Sequence, residues 1–235
     1  MSPAAVGVAS GRLPDLLWVA LVVIGVSVAG VAIAGDAVSE FGQLESRLLD
    51  ADQVTIRFDI RSTGAVDSAL SGQAEISRSG QTDIHAEGAF GGATANLKLN
   101  ASADKLTGGN GEQSFETARP DSLAEGLLVG FTRMGLLHNL AMLSAGYPPD
   151  ATDGTATEWV EASGITLGEP QALGGATARA FRFTVVVGGK PSGLAELWID
   201  ADTGLPVRRL QIVSFPEGEM RVLEQYSAFE LTGGD

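Results

Sequence analysis

The sequence predicts an α+β domain: a curved, mostly antiparallel β-sheet, an unclosed half-barrel, enclosing a long apolar helix and preceded by an N-terminal transmembrane or signal helix. Three observations carry this reading. Residues 16–34 are apolar and uncharged. Two blocks of the chain, from Val54 to Ala101 and from Ala178 to Leu231, alternate apolar and polar residues in the manner of half-buried strands. Between them, from Leu123 to Ala145, the apolar period becomes that of a helix.

The run Leu16–Ala34 reads LLWVALVVIGVSVAGVAIA. As a helix it would span about 28 Å, close to the hydrocarbon thickness of a bilayer. Arg12 precedes it, and Asp36 and Glu40 follow, so positive-inside bias puts residues 1–15 in the cytoplasm and the remainder outside. Two readings stand. Ala32-Ile33-Ala34 before Gly35 has the form of a signal-peptidase site, which would make 1–15 an n-region and release the protein into the periplasm. The run exceeds the apolar core of most signal peptides, which favours an uncleaved anchor, although Gly25 and Gly30 dilute it.

Residues 35–50 follow as an amphipathic linker helix, with Val38, Phe41, Leu44, Leu48 and Leu49 on one face and Asp36 at the N-cap. The β domain then occupies 51–235. Val54, Ile56, Phe58 and Ile60 alternate with Thr55, Arg57, Asp59 and Arg61, and Ala93–Ala101 alternates as cleanly. Ala69–Arg78 and Thr82–Phe90 are further strands around a Ser79-Gly80 turn, Gly108–Gly111 is a turn or loop, and Gln113–Thr117 is a short strand. Arg119-Pro120-Asp121-Ser122 opens the apolar helix, which Tyr147-Pro148-Pro149-Asp150 ends. Residues 150–178 are loop-rich with short strands near Glu158–Ala162 and 164–167. A meander of strands from Ala178 to Leu231 follows, turning at Gly188-Gly189, Asp202-Thr203-Gly204 and Pro216-Glu217-Gly218.

Composition excludes several functions. With 15 Lys+Arg against 29 Asp+Glu, a formal charge of −14 repels nucleic acid and anionic headgroups alike. The chain has no cysteine, which removes disulfides, thiolate metal sites, cysteine nucleophiles and a lipid-anchored cysteine. The 44% apolar content is that of a packed domain, and the 31 glycines suit many tight turns.

The C-terminal stretch 197–229, LWIDADTGLPVRRLQIVSFPEGEMRVLEQYSAF, resembles the consecutive hairpins of the bacterial lipoprotein- and lipid-carrier superfamily represented by LolA, LolB and related mycobacterial lipoproteins, in which a strand ends in an acidic-Thr-Gly-Leu-Pro turn. The resemblance implies an unclosed β-barrel capped by helices, with an apolar cavity for acyl chains. It transfers no functional residue.

Candidate sites are few. His85 and His138 lack any short ligand spacing, so they read as a solvated and a structural residue. Asp200–Gly204 has the outline of half a calcium loop but sits where a strand turn belongs. Arg57, Arg61, Arg208 and Arg209 either meet an anionic headgroup or pair across strands with acidic neighbours. No catalytic, cofactor-binding or metal-binding residue is assigned, and no enzymatic activity is expected. Glycines 126, 130 and 135 thin the apolar helix and leave room for a ligand chain facing the sheet. The expected cavity is lined by Phe58, Ile60, Leu97, Leu127, Phe131, Met134, Phe181 and Phe183. The expected function is extracytoplasmic binding of a hydrophobic or acyl-chain ligand in lipid or lipoprotein trafficking. The alternative is a structural or protein-interaction module of the cell envelope with a filled core. The expected partners are the membrane, through Leu16–Ala34, and a hydrophobic ligand or lipoprotein.

Overall fold

Both blocks of alternation fold into one antiparallel sheet. The computed structural model describes residues 29–148, 156–215 and 218–233. The first block and the residues that follow it give β1 (Gln53–Gly64), β2 (Ser68–Ser77), β3 (Thr82–Phe90), β4 (Ala93–Ala101), β5 (Lys105–Gly109) and β6 (Ser114–Ala118). The second, with the residues that precede it, gives β7 (Val160–Leu167), β8 (Gln171–Leu173), β9 (Ala176–Val187), β10 (Lys190–Asp200), β11 (Pro206–Phe215) and β12 (Gly218–Thr232). The helices are α1 (Ala29–Asp50), α2 (Leu123–Met134), α3 (Leu137–Ser144) and the single turn α4 (Ala156–Trp159).

The strand order is β6-β5-β4-β3-β2-β1-β12-β11-β10-β9-β7, with β8 on β9. Each half is a meander, and the halves join where β1 pairs with β12. The path ends at β6 and β7, so the sheet is unclosed. Register irregularities at Arg57/Phe58 and Trp198/Ile199 bend the central strands, as bulges do. Gly72 lies opposite Phe58, and a Cβ there would come within 2.1 Å of the His85 carbonyl oxygen and 2.9 Å of the Phe58 ring. The sheet curls over that gap.

The concave face carries the core. Ile56, Phe58, Ile60, Leu97, Leu99, Phe181 and Leu197 are all buried, and the polar partners of the alternation face outward. Helices fill the curl. Phe41 of α1 sits edge-on to Phe181 and Phe183, with ring centroids 5.3 Å from each. Glu40 pairs with Arg179 at 3.1 Å, and Arg47 donates to the Thr203 carbonyl at 3.2 Å. The segment expected as a linker is therefore a packed part of the domain, because its apolar face finds the aromatic end of the sheet.

Three expectations change. The helix expected over 123–145 is two helices, α2 and α3, bent by 116°. The apolar period runs through the break, but Gly135 leaves the helical region at φ 85° and ψ 174°. Helix α1 begins at Ala29, so Asp36 lies inside it and caps nothing. Lys105–Gly109, part of which was read as a turn, is a strand, since both of its glycines sit in close cross-strand approach. Residues 16–28 of the apolar run, and the side chains of 29–35, lie outside the described residues. Among the described residues no single helix is long and apolar enough to cross a membrane.

Candidate ligand cavity

The break between α2 and α3 is held from the sheet by two charges. Arg209 on β11 and Glu224 on β12 are cross-strand partners, each 1% exposed. Arg209 donates through its two terminal nitrogens to the carbonyls of Thr132 (2.9 Å) and Arg133 (2.7 Å), in the last turn of α2. Glu224 accepts from the backbone N–H groups of Leu136 (3.2 Å) and Leu137 (3.0 Å), the first of α3. Each charge meets the helix end whose dipole it complements, and each fills hydrogen bonds a terminus leaves open. Gly135 lies between them. A Cβ there would come within 2.6 Å of Glu224 Oε1 and 2.9 Å of Arg209 Nε.

The clasp extends to both sides. Tyr226 donates its hydroxyl to Glu224 at 2.5 Å, and burial, reinforced by the Glu224 charge, pushes the phenol well above its ordinary range. Burial pulls the Arg209 guanidinium below its usual value, against the opposing field of Glu224. Next to the clasp, Glu45 of α1 grips Arg133 with two 2.8 Å contacts and accepts from Thr132 Oγ1 at 2.8 Å. Arg133 also reaches the Val160 carbonyl at 2.8 Å, tying α1, α2 and β7 together.

Two residues further along β11 and β12, the packing opens into a cavity of about 210 Å³. It lies where the ends of β3, β9, β11 and β12 meet the segment between β1 and β2. The sheet supplies Val66, Phe90, Val185, Val187, Val213 and Val222. Met134, Leu137, His138 and Ala141 close it from the helices, and Phe215, 41% exposed, stands at its mouth. Gln211 and Ser192 are polar members of the wall. Such a space exceeds the roughly 150 Å³ void that takes up benzene and falls below the ~300–1,000 Å³ of drug-sized pockets. It fits the end of one chain or one ring.

Of the residues expected to line a cavity, Met134 lines this one. Phe58, Ile60, Leu97, Leu127, Phe131, Phe181 and Phe183 lie together in the main core, each at most 4% exposed, and are not among its wall. Gly126 and Gly130 face open space, while Gly135 is packed against the clasp. Sequence reasoning missed Val185, Val187, Gln211, Val213, Phe215 and Met220. Their position at strand ends beside the turns was legible, but which turns converge was not.

Other candidates resolve simply. Asp200 Oδ1 accepts from the Asp202 and Thr203 N–H groups and from Thr203 Oγ1, at 2.8–3.1 Å, and the backbone bond from Thr203 holds its carboxyl below the usual range. That segment is a self-capped turn. Among the described residues no group of three or more His, Asp and Glu side chains could hold a metal. His85 is exposed, 3.9 Å from Asp83. Arg57 donates to Gln73 at 3.2 Å, and Arg208 lies over the Trp198 ring at 5.1 Å. Of these arginines, Arg209 faces a carboxylate, Glu224, across strands, and it spends its donors on helix ends.

No family model matches the chain, and no curated protein matches it. Solved structures that resemble it include MucB, at 16% identity over 86% of this chain and 60% of that one, with a TM-score of 0.42. LprF from Mycobacterium bovis matches at 12% identity over 83% and 93% of the two chains, with a TM-score of 0.46. A LolA superfamily protein from Nitrosomonas europaea matches at 9% identity over 85% and 94%, with a TM-score of 0.35. The chain spans 60% of the length of MucB. LolA superfamily proteins are thus among the structures that this chain is similar to.

Proposed function

We propose that the protein is an extracytoplasmic binding protein for a hydrophobic, acyl-type ligand, held at a membrane by its N-terminal segment. The observation that carries this reading is the cavity of about 210 Å³ at the open end of the half-barrel, apolar over most of its wall. Interiors ordinarily close to crystal-like density, so a void of this size kept open beside an exposed Phe215 is suited to an occupant. The uncharged run Leu16–Ala34, with Arg12 before it and acidic residues after it, supports the location. We read the activity as binding rather than catalysis, because the buried titratable side chains Arg209, Glu224 and Tyr226 are spent on holding helices.

The test is titration of the full chain with a fluorescent fatty-acid probe. Saturable uptake of one probe per chain is expected, with the emission shift of an apolar site. Absence of saturable uptake rules the reading out. A second reading has its own observation. The edge strand β6 is largely exposed along Ser114–Ala118, which suits strand addition by a partner protein.

A further inference from the structure

The cavity is apolar, but one of its polar side chains is oriented. Gln211 is 7% exposed, and its Oε1 accepts from Arg209 at 3.0 Å. That bond fixes which end of the amide is which, leaving Nε2 and its two N–H groups as the other end of a side chain that lines the cavity. No hydrogen bond from Nε2 is found among the described residues. Ser192, by contrast, donates its hydroxyl to the Lys190 carbonyl at 3.2 Å, and His138 is the other nitrogen-bearing side chain of the wall. The cavity therefore offers a neutral donor, positioned from behind by a buried arginine.

From this we propose that Gln211 is a specificity-determining residue that selects an uncharged acyl ester or amide over a free fatty acid. The proposal rests on the acyl-binding reading above and adds the chemistry of the chain's polar end. A carbonyl oxygen is the acceptor that a buried N–H donor satisfies without bringing in a charge. A carboxylate would have to be desolvated in an apolar cavity that has neither Lys nor Arg among its described lining residues. The Arg209 guanidinium is committed to Thr132, Arg133 and Gln211, and Glu224 stands opposite it as counter-charge. The Tyr226 hydroxyl is given to Glu224. The chain's charge of −14 opposes an anionic ligand further.

The experiment uses the full chain in a steroid detergent, so that no detergent acyl tail competes. It is titrated at pH 8 with hexadecanoic acid and separately with methyl hexadecanoate, and occupancy is read by native mass spectrometry. The ester is expected to bind roughly tenfold tighter than the acid, the size of one good hydrogen bond. Gln211→Glu keeps an acceptor for Arg209 but removes the donors, and Gln211→Leu removes both. Gln211→Leu is expected to lower ester affinity about tenfold and so to narrow the preference, while the added carboxylate of Gln211→Glu repels the acid, so that variant is read through its fall in ester affinity alone. Equal affinity for the two ligands in the unaltered protein, or preference for the acid, overturns the assignment of Gln211 while leaving acyl binding intact. An ester affinity left unchanged in both variants overturns it as well. Failure to bind either ligand removes acyl binding itself, and the proposal with it.

Discussion

Arg209 and Glu224 face each other across β11 and β12, and between them they terminate one helix and begin the next. Neither is exposed, so removing one strands the other in a poorly solvated site. Arg209→Met and Glu224→Gln are each expected to cost about 3–5 kcal/mol in denaturant unfolding of the full chain. The double variant is expected to cost less than the sum. A coupling below about 0.5 kcal/mol would show that the two act independently.

Tyr226 adds a pH signature. Its folded-state value is raised, so the folded protein keeps the phenol proton where the unfolded chain, near pH 10, has lost it. The resulting stabilisation is full below about pH 10 and lost as pH rises from there towards the folded-state value. The difference in melting temperature between the unaltered protein and Tyr226→Phe is therefore expected to be constant from pH 7 to 9 and to shrink at pH 10 and above. A difference that grows with alkalinity would contradict the assignment.

The glycines of the central helices predict opposite signs. Gly135→Ala places a Cβ at positive φ against Glu224 and Arg209, with a loss of about 1–3 kcal/mol expected. Gly126→Ala in α2 meets nothing within 4 Å and is expected to gain roughly 0.5–1 kcal/mol through helix propensity. Thermal melts of the two variants check both.

Cavity and core are separable by substitution. Ala141→Phe fills part of the cavity, and probe affinity is expected to fall about tenfold or more with little change in melting temperature. Phe181→Leu thins the core beneath Phe41, and is expected to lower the melting temperature while leaving probe affinity unchanged. If Phe181→Leu reduced affinity as strongly as Ala141→Phe, the ligand would lie deeper than the cavity described.

Helix α1 provides a fifth test. Phe41→Ala is expected to cost about 3–5 kcal/mol, and a chain starting at residue 51 is expected to lack a cooperative transition, as read by circular dichroism.

Sheet and helices were largely legible, because each strand declares its buried face within a few residues: Val54 to Ile60 needs no partner to be recognised as a strand. The break at Gly135 was not. Leu127, Phe131, Met134, Leu137 and Ala141 hold one helical spacing through it, and what stops the helix is a pair of side chains on strands roughly 75–90 residues away. The same long range hid the role of Arg209. In sequence it is one of two adjacent arginines before an acidic hairpin partner, and the carbonyls it meets belong to a different part of the chain. The cavity wall was illegible for a related reason. Its residues come from five strands, two helices and the segment between β1 and β2, and only the fold makes them neighbours.

The pairing of β1 with β12 also orders events in time. Ile56 meets Phe229, roughly 170 residues later in the chain, so the middle of the sheet cannot be completed before the final strand is available. Until the final strand arrives, β1 presents an open, apolar edge, with Phe58 and Ile60 lacking half of their neighbours. A chain with that seam folds slowly and is prone to wrong pairings while incomplete. Its C-terminal strand acts as the closing step, and a protein shortened by that strand would be expected to accumulate as an aggregating intermediate rather than as a smaller version of the same domain.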